Sequence, residues 1–142
     1  MLKILKAQLD HFARKAKRDY ADRVVRHIGI TYPDLAASMP EEELRARVED
    51  GMARAERHGI VMEEDALEFI LMLFALGPTA DEDVPWVRAI VQDRGLDGGG
   101  KVRRLEEMGR RVLAGEGEAT TDEAESGPRP RAPLEQYAEE SA

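Results

Sequence analysis

Apolar residues in the first fifth of the chain recur at steps of four and three: Leu5, Leu9, Phe12, Ala16, Tyr20, Val24 and Ile28. That spacing predicts one long amphipathic helix with a single apolar stripe, running from about residue 3 to residue 28 and ended by Gly29. On its wet side Asp10/Arg14, Asp19/Arg23 and Asp22/Arg26 are acid-before-base pairs at i,i+4, each supporting the helix by roughly a few tenths of a kcal/mol. Tyr32-Pro-Asp-Leu35 reads as a turn or one helical turn. Ser38-Met-Pro-Glu41 has the form of a capping box with proline in the first turn, so a second helix is predicted to begin there. Leu44, Val48, Met52 and Ala55 follow at helical spacing, and Arg57-His58-Gly59 closes the segment. Gly51 sits inside it, at a cost of about 1 kcal/mol relative to alanine, which points to a close helix contact.

The segment Phe69-Ile-Leu-Met-Leu-Phe-Ala-Leu76 is apolar at eight consecutive positions. Entered from Glu63-Glu64-Asp65 and stopped by Gly77-Pro78, it predicts a third helix over 63–76 that neighbouring amphipathic helices must cover. Thr79 to Asp83 reads as a loop, and Asp83-Val-Pro-Trp86 starts a short fourth helix ending near Asp93, with Trp86, Val87, Ile90 and Val91 inward. Leu96-Asp-Gly-Gly-Gly100 breaks the chain before a fifth helix marked by Val102, Leu105, Met108, Val112 and Leu113. No β-branched residues alternate over the length of a strand. The predicted class is all-α: a compact bundle of about five helices around the central apolar helix 63–76.

Composition shifts after Gly115. Residues 116–142 hold eight acids against Arg129 and Arg131 and show no apolar periodicity. The expected organisation is a helical domain over 1–115 and a disordered acidic, proline-containing tail over 116–142. That tail carries six of the eight net negative charges of the 142-residue chain. Residues 1–28, in contrast, hold eight Lys/Arg against three Asp. Without cysteine neither disulfides nor thiolate metal sites are available. The amino terminus has no secretory-signal pattern, and eight apolar residues fall short of the ~20 that cross a bilayer. A cytoplasmic protein without membrane association is expected.

Candidate chemistry is sparse. His11 and His27 are sixteen residues apart, about 160° around a shared helix, and cannot bind one metal together. His58, at a helix C-terminus, reads as a surface or capping residue. Glu63-Glu64-Asp65 and Asp81-Glu82-Asp83 read as solvated helix starts, because contiguous acids point in different directions. Gly98-Gly99-Gly100-Lys101 lacks the spacing of a phosphate loop and reads as a flexible hinge. No nucleophile-plus-base constellation can be assembled, so no enzyme and no cofactor is expected. The candidate partner-binding residues are Arg14, Lys15, Lys17 and Arg18 on the basic first helix. In the tail, Leu134 and Tyr137 follow Pro128-Arg-Pro-Arg-Ala-Pro133, which is either a spacer or a docking peptide.

Met1-Leu-Lys-Ile with Gln8-Leu9 and Phe12, His27 with Tyr32-Pro33, Gly51-Met-Ala-Arg54, His58-Gly-Ile60, Phe74-Ala-Leu-Gly-Pro78, Pro85-Trp86 and Ala89-Ile90 form a further pattern over residues 1–93. It resembles small proteobacterial proteins encoded beside type VI secretion (contractile injection) genes, near those for effectors or spike tips. The resemblance implies a cytoplasmic accessory protein and supplies no catalytic residues. The expected function is therefore a non-enzymatic adaptor or chaperone-like protein binding an effector, toxin or spike component. The alternatives are an immunity protein that neutralises a neighbouring toxin, and a helical DNA-binding regulator using the first helix. Interleaved acids and overall negative charge argue against nucleic acid.

Overall fold

Tyr32 precedes Pro33, and the proline ring bars the preceding residue from the helical region. Tyr32 accordingly takes φ −128° and ψ 65°, and the first helix, α1 (Leu2–Thr31), ends there. Gly29 does not end it, contrary to expectation: a glycine with ordinary helical dihedrals costs a helix only about 1 kcal/mol, whereas an X-Pro step is a steric stop. This computed structural model describes residues 2–115, and every described element is α-helical: α1, α2 (Pro33–Ala37), α3 (Glu41–Arg57), α4 (Glu63–Leu76), α5 (Ala80–Asp83), α6 (Pro85–Val91) and α7 (Gly98–Leu113). The chain divides into two units inside α3, between Met52 and Ala53.

In the first unit α2 packs on the end of α1, and His27 meets Tyr32 edge-on with ring centroids 6.3 Å apart. Ser38 does not act as the capping box predicts. Its hydroxyl donates back to the Leu35 carbonyl at 2.6 Å and closes α2. Among the described side chains of this unit Ala21, Val24, Ile28, Leu44 and Val48 are the buried apolar ones, and Gly51 is buried as well. Arg45 of α3 bridges Asp22 of α1 and Glu49 one turn further along α3.

The second unit holds the larger share of buried apolar side chains. α4 begins and ends where its acidic start and Gly77 predict. It buries Ala66, Phe69, Ile70, Leu71 and Leu73, while Met72, Phe74 and Leu76 are half-buried. α5 occupies the segment expected to be a loop. α6 follows directly, with Val84 between the two helices and Pro85 in its first turn, where a missing N–H costs nothing. Val87, Ile90 and Val91 of α6 are buried. Trp86 is half-buried and approaches Gly109 of α7, though its Nε1–H is buried without an acceptor.

Gly98, Gly99 and Gly100 form the first turn of α7 and are not a hinge. Asp97 caps them, its carboxylate accepting from the Gly100 N–H at 2.7 Å. Glycine is required at residue 98 by contact: a Cβ there would lie 2.3 Å from the Gly59 carbonyl oxygen and 2.8 Å from the Ile60 Cα. Gly59, at φ +78°, is the left-handed residue that ends α3, and the Ile60 N–H reaches back to the Ala55 carbonyl at 2.9 Å in a Schellman-type closure. No described helix is long and apolar enough to cross a membrane.

Candidate interaction surface

A helical step of four residues advances 40°, so the series Phe12, Ala16, Tyr20, Val24, Ile28 drifts about 160° around α1. The single stripe read from spacing is in fact two faces. Ala21, Val24 and Ile28 are buried and lie on one side. Leu5, Leu9 and Phe12 lie on another and are 51%, 58% and 62% exposed. Every described side chain from Leu5 to Asp19 is exposed. Five cations accompany this apolar face over residues 5–18 (Lys6, Arg14, Lys15, Lys17 and Arg18) against the single acid Asp10.

The basic candidates are all exposed and are spread around the helix. Arg14, Lys17 and Arg18 fall within about 100° of one another on the side away from Leu5, Leu9 and Phe12, and Lys15 lies at one flank of that apolar face. Lys15 pairs with Asp19 at 3.1 Å in the open, a contact worth at most about 0.5 kcal/mol. Leu134 and Tyr137 lie outside the described residues.

A second polar feature was not legible as such in the sequence. Asp81 of α5 is buried, at 2% exposure, and is not a solvated helix start. Its Oδ1 accepts from Arg54 Nη1 at 2.9 Å and its Oδ2 from His58 Nε2 at 2.9 Å. Arg54 Nη1 also reaches Glu82 at 2.8 Å. The His58 ring packs edge-on against Phe69, with centroids 5.9 Å apart, and Lys101 of α7 donates to the His58 carbonyl at 2.8 Å. This cluster ties the end of α3 to α5 and α7. The i,i+4 spacing of Arg54 and His58 is the one sequence signal that puts them on a common face.

An Asp–His pair is the orienting half of a nucleophilic triad, and a triad also needs a hydroxyl or thiol within reach of the imidazole. Here both carboxylate oxygens of Asp81 are engaged. The nearby Thr79 hydroxyl donates to Asp83 instead. Among the described residues no three His, Asp or Glu side chains converge as a metal site would require. The arrangement is a buried ion-pair tie. Comparison with protein families, curated proteins and solved structures returns no match.

Proposed function

We propose that this chain is a non-enzymatic binding protein: an adaptor or chaperone-like accessory that holds an effector or spike component of a contractile injection system in the cytoplasm of the producing cell. The observation that carries the binding role is the exposed Leu5, Leu9 and Phe12 face at the start of α1. Three large apolar side chains in a row, set among cations, are the composition of a contact surface. The Thr79 hydroxyl, which donates to Asp83 instead of meeting the His58 imidazole, supports a role without catalysis. The class of partner rests on the resemblance of residues 1–93.

Deleting the gene in its host tests this reading. An adaptor predicts that the partner effector stays undelivered in the cell and remains toxic when expressed alone. A Phe12→Asp variant should reproduce the loss of delivery while the protein stays folded. Self-intoxication on deletion, with full delivery retained, would establish the immunity reading instead.

A further inference from the structure

Leu5, Leu9, Phe12 and Ala16 follow one another at steps of four, three and four. That is the a/d register of a heptad, with Leu9 and Ala16 at a and Leu5 and Phe12 at d. At 100° per residue the four lie within about 60° of one another. A core-facing stripe is about 100° wide or more, whereas these four a and d side chains have the spacing of a seam for a single helix. The register stops at Asp19, which takes the next d position. Lys6 occupies an e position and Lys15 a g position beside the seam, and the other e and g positions within it, Ala13 and Gln8, are uncharged. Charges at e and g choose the partner of such a seam.

We propose that this seam takes one acidic amphipathic helix of another protein, its apolar a and d side chains against Leu5, Leu9, Phe12 and Ala16 and its Glu or Asp side chains facing Lys6 and Lys15. The inference rests on reading the start of α1 as a binding surface and adds the chemistry of the occupant. Charge complementarity selects that occupant. A second copy of this chain would bring the five cations and one acid of residues 5–18 against the same set, a repulsive arrangement. An anionic bilayer would attract the same cations, but it has no a and d side chains to match the heptad register of Leu5, Leu9, Phe12 and Ala16.

Two hydrocarbon-stapled helical probes of about three heptads, each with Leu at every a and d position, decide the matter. They differ only in carrying Glu or Lys at e and g. Fluorescence anisotropy with the full chain at low salt should show the Glu probe binding at least about tenfold tighter than the Lys probe. The double variant Lys6→Glu/Lys15→Glu should reverse the preference, a result that loss of structure cannot imitate. Phe12→Asp should abolish binding of both probes without changing the circular dichroism.

Equal affinity for the two probes, or a preference that the double variant leaves unchanged, would overturn the proposal. So would absence of binding to the full chain, whether nothing fits the seam or residues 116–142 of the same chain hold it. Self-association in sedimentation, or adsorption to phosphatidylglycerol vesicles, would equally overturn it where Phe12→Asp removes the effect. If neither probe binds while Phe12→Asp still blocks delivery in the host, the binding surface stands and the acidic helix falls. If Phe12→Asp leaves delivery intact, the surface itself is refuted.

Discussion

Asp81 shows how one buried charge orders its surroundings. Its side chain is 1% exposed and that of Arg54 is 11% exposed, so neither charge is solvated enough to stand alone. Removing one partner of a buried pair leaves the other uncompensated, which costs about 3–5 kcal/mol. Arg54 keeps Glu82 as a second, largely exposed partner, so Asp81→Ala should destabilise by about 3 kcal/mol, the lower end of that range. Urea unfolding of the two proteins checks this, and a change below about 0.5 kcal/mol, the size of an ordinary surface substitution, would show the tie to be ornamental. The sequence hid this residue. Asp81, Glu82 and Asp83 are chemically alike in a row, and burial of one of them is decided by Arg54 and His58, more than twenty positions away.

At the scale of elements, chain punctuation was legible wherever two local signals agreed. α4 has the limits that Glu63-Glu64-Asp65 and Gly77-Pro78 predict, because acids favour a helix start and Gly77 at φ +127° leaves helical geometry. Signals that depend on distant parts of the chain misled. Gly98–Gly100 reads as a break, but the Asp97 cap and the close approach of Gly59 make it a helical turn. The apolar series of α1 reads as one stripe because steps of four resemble helical periodicity while they rotate around the helix. The candidate surface is therefore half legible: spacing places its residues on an apolar stripe and says nothing of their exposure.

Packing of α4 with α7 also has an electrostatic consequence. Half-buried Glu68 lies beside Glu106, and burial first, then the Glu106 charge and a hydrogen bond to it, raise its carboxyl above the ordinary 4.5. A carboxyl with a raised folded pKa binds its proton more tightly in the folded state than in the unfolded one. Its contribution is therefore most favourable at low pH and is lost as pH rises from about 4.5 through the folded value. The variant Glu68→Gln should lose this component, so its stability relative to the parent should rise across that interval. Parallel pH profiles for the two proteins would contradict the assignment.

For the molecule as a whole, charge and apolar surface are placed unevenly. The chain carries a net charge of −8, yet eight of its 21 Lys and Arg lie in residues 1–28. The same region holds three exposed large apolar side chains, Leu5, Leu9 and Phe12. The fully buried large side chains Ile28, Val48, Phe69, Ile70, Val87 and Val91 lie on α1 beyond Asp19, α3, α4 and α6. α1 thus has two unlike halves: its second half supplies the buried Ala21, Val24 and Ile28, and its first half leaves Leu5, Leu9 and Phe12 exposed, the face proposed for binding.

Thermal and urea unfolding of the triple variant Leu5→Gln/Leu9→Gln/Phe12→Gln tests that division most directly. Glutamine is nearly as good a helix former as leucine, so the substitutions remove apolar surface and little else. The account predicts stability within about 1 kcal/mol of the parent, as for exposed positions. A loss above about 3 kcal/mol, the scale of truncating even one buried Leu or Phe, would place these side chains in the core and contradict it.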